Sequence, residues 1–323
     1  MNSPSYESVF ISGGAGFIGS HLTRRLLARP DLRRVVIYDN FSSGLDSYLS
    51  DLKSDARLEI VRADLKDKDA VAAAMRGCEV IFHLAANPDI AKAVTQPDID
   101  FWEGTYLTQN VIEAMRVTGA KRILYTSGSG VYGENASVAF AENYGPCVPI
   151  STYGASKLAC EGLIAAYCHM FEITGRAFRF ANVVGPRQTH GVGYDFVRRL
   201  KADPTRLRIL GDGSQSKSYI HVDDVLEAIF TADARCAAKY DVFNVATGDY
   251  ITVKEIAEIA AQVCGASAVR HEFTGGDRGW KGDVPVVRFD CAKIQVLGWR
   301  SRRTSTQAVR DAIVALRQEI AND

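Results

Sequence analysis

Apolar and polar positions follow two rhythms along the first half of the chain. Short β-branched and aromatic runs at Val9–Ser12, Val35–Tyr38, Leu58–Val61, Val80–Leu84, Arg122–Thr126 and Arg176–Phe180 predict strands. Between them, apolar residues recur every three or four positions over Phe17–Arg29, Asp67–Met75, Asp98–Val117 and Thr152–Phe171, which predicts helices. Pro30 stops the first of these. Near-continuous apolar strands alternating with helices are the pattern of a parallel sheet covered on both faces. Crossovers of this length are right-handed, so the predicted fold class is α/β with a doubly wound parallel sheet. After about Phe180 the alternation lapses, and Gly, Pro and basic residues increase over Val183–Asp212. Thr252-Val-Lys-Glu255 reads as a capping box that opens a helix running to Cys264. A Gly-rich loop spans Gly275–Pro285 with Arg278, Trp280 and Lys281, and a last helix runs from about Ser305 to Ile320. The pattern predicts a nucleotide-binding domain over residues 1–180, completed by part of 220–247. A smaller α/β C-terminal substrate lobe occupies 181–323.

Composition narrows the class. The 323 residues are 47% hydrophobic and 24% charged, with Lys+Arg and Asp+Glu both at 38. A zero balance argues against nucleic acid or an anionic membrane surface as the main partner. No run of about eighteen uncharged apolar residues offers a membrane span. Met1–Ser8 has neither the basic start nor the apolar run of a secretory signal, so a cytoplasmic protein is expected. The seven cysteines include no C-x-x-C pair. They predict buried free thiols instead of a disulfide framework, and no metal site is expected.

Two motifs carry chemistry. Gly13-Gly-Ala-Gly-Phe-Ile-Gly19 follows the first strand and opens the first helix. Gly13, Gly16 and Gly19 let the backbone turn and approach a pyrophosphate, which rests on the helix N-terminus at Phe17 and Ile18. This is a Rossmann-type dinucleotide site. Asp39 ends the second strand, where a carboxylate accepts from a ribose 2′-OH and repels a 2′-phosphate, so NAD is expected over NADP. Further on, Tyr153-Gly-Ala-Ser-Lys157 opens the long helix. The i, i+4 spacing stacks phenol and ammonium on one face. Lys157 is expected to lower the phenol pKa, aided by a positive nicotinamide ring, so that Tyr153 takes a proton from a sugar or alcohol hydroxyl.

With Tyr38-Asp-Asn40, Asp64-Leu65, His83-Leu-Ala-Ala86, Asn182-Val-Val-Gly-Pro186, Gly211-Asp-Gly213, Tyr219-Ile-His-Val-Asp-Asp224 and Gly298-Trp299, these motifs resemble the extended short-chain dehydrogenase/reductase family. Within it they are similar to NAD-dependent nucleotide-sugar epimerases and dehydratases. The text from Gly275 to Pro285 resembles a branch of UDP-glucose 4-epimerases. The resemblance implies that Asp39, Asn40, Ser43 and Gly44 hold the adenosine ribose, and that Asp64 and Leu65 frame the adenine. It implies that Leu84, Ala85, Ala86 and Phe180 line the cofactor, and that Lys157 also bonds the nicotinamide ribose. Asn182 and Lys217 fall at substrate diphosphate positions. Trp280 stands where a second phosphate-binding Arg is usual, so Arg278 or Lys281 would substitute. Asn87-Pro88-Asp89 and Thr189-His190-Gly191 are polar enough to contact a sugar. Relatives pair the helices matching Thr105–Arg116 and Leu158–His169 across a two-fold axis, which implies a homodimer.

Two departures from the family pattern stand out. In Thr126-Ser-Gly-Ser-Gly-Val-Tyr-Gly133, Gly128 occupies the position of the Ser or Thr that bonds the substrate hydroxyl, so Ser127, Ser129 or a water is expected to replace it. Gly104 stands in the long helix where many relatives carry an Asn, and it implies close approach of another group. Sugar 4,6-dehydratases place Asp-Glu at Ser129-Gly130, and UDP-glucuronate decarboxylases place a Glu at Gly130. Without these acids the resemblance implies a UDP-hexose 4-epimerase, with a ketoreductase or dehydratase of the same family behind it. An NAD-binding regulatory protein without activity is the alternative from another class.

Overall fold

The structure is a computed structural model that describes residues 6–279 and 282–322. Trp280 and Lys281 therefore lie outside the described residues. The elements of the first half are β1 (Ser8–Ser12), α1 (Phe17–Leu27), β2 (Arg34–Asp39), β3 (Leu58–Arg62), α2 (Lys68–Met75), β4 (Val80–His83), α3 (Tyr106–Thr118), β5 (Arg122–Gly128), α4 (Thr152–Met170) and β6 (Thr174–Phe180). There follow β7 (Asn182–Val184), α5 (Val192–Ala202), β8 (Arg206–Ile209), β9 (Ser216–Lys217), β10 (Tyr219–His221), α6 (Val222–Arg235) and β11 (Tyr240–Val245). The chain ends with β12 (Ile251–Thr252), α7 (Val253–Cys264), β13 (Arg270–Phe273), α8 (Ala292–Val296) and α9 (Ser305–Asn322).

The chain forms two compact units. The first comprises the residues up to Val131, Thr152–Arg179 and Ile229–Phe243. Its seven-stranded sheet has the order β11-β6-β5-β4-β1-β2-β3, and β1 runs parallel to both β2 and β4. The order reverses at β1, so its carboxyl end and that of β4 flank a crevice of the kind that binds dinucleotides. The central strands are buried on both faces. Phe10, Val36, Ile81 and Ile123 pack under Met75 of α2, Val111 and Met115 of α3, and Ile164 of α4. Ile37 packs with Ala15 and Leu49 in a separate cluster, and the Phe82 ring meets Phe230 at 6.4 Å between centroids.

The predicted helix over Asp98–Val117 is not uniform. Phe101–Thr105 is a π-turn, and regular α-helix begins only at Tyr106. Gly104 lies within this turn, where a Cβ would collide with the Ser156 hydroxyl of α4. The glycine admits that hydroxyl, and it is the close approach that its presence implied.

The second unit comprises Tyr132–Ser151, Phe180–Ala228 and the residues from Asn244 onward. Tyr132–Ser151 was expected in the first domain. Its aromatics explain the difference, because Tyr132 stacks on Phe140 at 4.6 Å and Phe140 bridges to Phe289. Phe196 and Leu200 of α5, Ile256 and Ala260 of α7, and Val309 and Ile313 of α9 form the core of this unit. Thr252 and Glu255 make the predicted capping box, with Glu255 N donating to Thr252 Oγ1 at 3.2 Å. Among the described residues no helix is long and apolar enough to cross a membrane.

Candidate active site

The glycine loop leaves β1 through Gly13, whose φ of +74° and closeness to Ala85 exclude a side chain. A Cβ on Gly13 would lie 2.9 Å from Ala85 N, and one on Gly19 would strike Gly13 O. The loop is therefore bare backbone. Helix α1 starts from Gly16 with no side-chain cap, which leaves its first N–H groups without the usual side-chain acceptor. Gly13, Gly16, Phe17 and Ile18 are all partly exposed. A pyrophosphate fits such a cradle by supplying the missing acceptors.

Asp39 is buried, and its carboxylate accepts from Ala15 N at 2.9 Å and Phe41 N at 2.8 Å. Burial pushes its pKa up, against those two bonds and the charge of Arg62. A carboxylate has lone pairs left for a ribose hydroxyl. Asn40 reaches Asp64, Ser43 is exposed, and Gly44 is buried where a Cβ would meet Ala15. Leu65 is buried, its carbonyl accepting from Asn110. Leu84, Ala85 and Ala86 are partly exposed after β4, and Phe180 is buried at the end of β6. The sequence did not reveal Phe41, held at φ 57° with the Arg62 guanidinium 3.6 Å above its ring. The donor set and the bare loop fit NAD.

Tyr153 and Lys157 lie in the first turns of α4, with the ammonium 5.5 Å from the phenol ring centre. Lys157 is 5% exposed and donates to Thr126 O at 2.8 Å. Burial lowers its pKa to about 8, against the pull of Cys160, Glu161 and Asp100. Tyr153 keeps part of its surface open, yet crowding around it pushes its pKa up to about 12, with further increments from Asp100 and Cys160. Burial therefore acts on the phenol against the lowering expected from Lys157 and the nicotinamide ring, and the Lys157 ammonium is turned toward the Thr126 carbonyl.

The expectation for Ser127 is corrected. Its hydroxyl donates to Glu161 Oε1 at 2.5 Å, and Glu161 is clasped by Arg179 at 2.7 Å, all three buried. That hydroxyl is committed to the ion pair and does not serve a substrate. Ser129 is partly exposed in the turn after β5, and its hydroxyl makes no hydrogen bond among the described residues. A Cβ on Gly128 would lie 4.0 Å from the Tyr153 hydroxyl, in ordinary contact. A Cβ on Gly130 would come within 3.3 Å of Gly154 Cα, so helix packing disfavours any side chain there. His83, unforeseen, is fully enclosed between Ser12 (2.6 Å) and Thr108 (2.9 Å), and burial drops its pKa to about 3.

In the second unit Asn182 is exposed on β7, in register with Tyr219 of β10. Lys217 and Arg278 converge on Asp283. Lys217 pairs with its buried carboxylate, and Arg278 donates to its carbonyl at 2.9 Å while pairing with Glu134 at 2.8 Å. Asn87 is turned inward, bonding Asp89 O and the Asp100 carboxylate, both at 2.9 Å.

Comparison with known proteins agrees with this site. The chain is 33% identical over 316 residues to a UDP-glucose 4-epimerase of Mycolicibacterium smegmatis, covering 96% of this chain and 98% of that one. A crystal structure of a UDP-galactose 4-epimerase superposes with a TM-score of 0.85 at 37% identity, covering 97% and 99%. A Thermus thermophilus UDP-glucose 4-epimerase solved in complex with NAD superposes with a TM-score of 0.83 at 30% identity, covering 96% and 98%. The Thermus thermophilus structure holds NAD, the matching family is NAD dependent, and the glycine cradle with Asp39 fits the same cofactor. With its glycine cradle, its Tyr153–Lys157 pair and a match of residues 9–246 to the family's model, the chain belongs to the NAD dependent epimerase/dehydratase family.

Proposed function

We propose that the protein is a nucleotide-sugar 4-epimerase acting on a UDP-hexose. The observation that carries this reading is the Tyr153–Lys157 pair set beside Gly128, Ser129 and Gly130, a segment with no carboxyl group. Elimination across C5–C6 or decarboxylation needs a further acid or base there, and Ser129-Gly130 supplies neither. Epimerisation needs only one group that removes and returns the proton of the 4-hydroxyl. Tyr153 does this, and Lys157 anchors the same turn through Thr126 O. NAD held by the glycine cradle and Asp39 would supply the hydride acceptor and donor for C4 and a positive ring charge that favours the phenolate. Ser129, or a water in the space at Gly128, meets the 4-hydroxyl. Asn182, Lys217 and Arg278 hold the diphosphate. Lys217 offers a point charge without the fork of an Arg.

The test is incubation of the NAD-bound protein with UDP-glucose, UDP-galactose and their N-acetyl and uronic acid relatives, followed by product analysis. The expected product is the C4 epimer with no net consumption of NAD. Tyr153→Phe is expected to lose about 10²-fold or more in turnover while still binding NAD. Absence of any epimer refutes the reaction, and Tyr153→Phe retaining over about a tenth of turnover refutes the base.

A further inference from the structure

Asp100 immediately precedes the π-turn at Phe101–Thr105 and is 1% exposed. Both of its carboxylate oxygens act as acceptors, one from Asn87 Nδ2 at 2.9 Å and one from Thr152 Oγ1 at 2.7 Å. Its carbonyl accepts from Ser156 Oγ at 2.7 Å, and that hydroxyl also lies 2.9 Å from Thr105 Oγ1. No Lys, Arg or His pairs with Asp100 among the described residues. A buried carboxylate without a cation is costly, so the fold keeps this one at a price. Thr152 and Ser156 are one helical turn apart on α4, and Tyr153 lies between them. π-turns concentrate at functional sites, and this one starts at Asp100, which contacts that turn of α4 through Thr152 and Ser156.

We propose that Asp100 is a positioning residue for Tyr153: it clamps the first turn of α4 and sets a buried negative charge beside the phenol. The inference rests on the reading of Tyr153 as the base. The titratable groups facing the phenol are Lys157 and Cys160 on α4, Tyr125 on β5 and Asp100 itself, while Glu161 and His83 face Lys157. Cys160 and Asp100 both act on the two members of the pair, favouring the protonated form of Tyr153 and of Lys157, and Asp100 is the one that also holds Thr152 and Ser156 of the same turn. It makes the phenolate scarcer and more basic.

The experiment is the pH dependence of kcat for NAD-bound Asp100→Asn on the established nucleotide sugar. Asn keeps the clamp, since its oxygen accepts from Asn87 and its NH₂ donates to the Thr152 hydroxyl. Only the charge goes. The acid limb is expected to move down by about one pH unit, giving about tenfold more turnover than wild type well below the limb. The plateau is not raised, because the phenolate is a weaker base. Asp100→Ala removes clamp and charge together and is expected to lower kcat at every pH. An Asp100→Asn limb that superimposes on wild type, or a uniform loss at all pH values, overturns the proposal. Should Asp100→Asn not fold, Thr152→Val keeps the charge and removes one clamp bond. It is expected to lower kcat several-fold with the limb at or above the wild-type position, and a profile identical to wild type overturns the clamp. Failure of the underlying reading is distinct, because Tyr153→Phe would then keep its turnover.

Discussion

Lys157→Met is expected to make the nucleotide-free protein more stable at neutral pH while abolishing turnover. Lys157 is 5% exposed, and burial takes its pKa from 10.5 to about 8. At about 1.4 kcal/mol per pH unit, keeping the ammonium charged in the folded state costs about 3 kcal/mol. Met is unbranched and one atom shorter, and it fills most of the site without the charge. The substitution also removes the bond to Thr126 O, and a carbonyl left without that donor costs about 1–3 kcal/mol. The net gain at pH 7 is therefore small, about 1 kcal/mol. The pH dependence is the sharper quantity. Between pH 8 and 10.5 the unfolded chain binds the Lys157 proton and the folded chain does not, so wild-type stability rises with pH through this window. Below pH 8 both states are protonated and the full penalty is present. The stability difference between variant and wild type should thus stay constant from pH 6 to 8, then swing by about 3 kcal/mol toward wild type by pH 10.5. Urea unfolding followed by circular dichroism at half-unit pH steps measures it. Other groups that titrate in this range are common to both proteins and cancel in the difference. A difference that does not change with pH refutes the claim that Lys157 carries a desolvated charge.

Three further outcomes are expected. Gly128→Thr has space beside the Tyr153 hydroxyl, so thermal unfolding should change little, and steady-state kinetics decide its effect on turnover. A rise places the hydroxyl donor at position 128, and a fall of about 10²-fold places it at Ser129, which Ser129→Ala should then match. Gly104→Ala drives a methyl into Ser156 Oγ and should cost about 1–3 kcal/mol, read as a lower urea midpoint, with Ser156→Ala in the same chain restoring much of it. Light scattering at micromolar concentration should give the mass of a homodimer joined through α3 and α4, and a monomer mass removes that assembly.

Much of the first unit was legible because local pattern and tertiary fate coincide there. Val9–Ser12, Val35–Tyr38 and Val80–Leu84 read as strands since both of their faces are buried, and β1, β2 and β4 hold nearly those residues. Thr252 and Glu255 announced their helix because a capping box is complete within four residues. What escaped is non-local. The π-turn at Phe101–Thr105 packs its Gly104 against the Ser156 hydroxyl some fifty residues away, and Tyr132–Ser151 joins the second unit through contacts with Phe289. Ser127 misled because composition offers any nearby hydroxyl as a donor, while the geometry asks which way it points. Strand alternation held a usable signal, since it places Ser127 on the same side as Tyr125, toward the α4 residues Lys157 and Glu161.

That alternation also bears on how the site is held. Tyr153, Lys157 and Glu161 follow one another at i, i+4 and i+8, so they form a single row along α4. At one end Glu161 is fixed by a two-pronged grip from Arg179 on β6 and by Ser127 on β5. At the other end Asp100 fixes Thr152 and Ser156. Tyr153 and Lys157 sit between two buried carboxylates of opposite circumstance, one neutralised by a guanidinium and one left with neutral donors only. Removing Arg179 or Glu161 alone would strand a buried charge, at a cost of about 3–5 kcal/mol. Removing the charge of Asp100 strands nothing. The Glu161–Arg179 end of the row therefore bears on whether the protein folds. The Asp100 end is where charge can be altered with the fold left standing, and it is the end nearer the phenol.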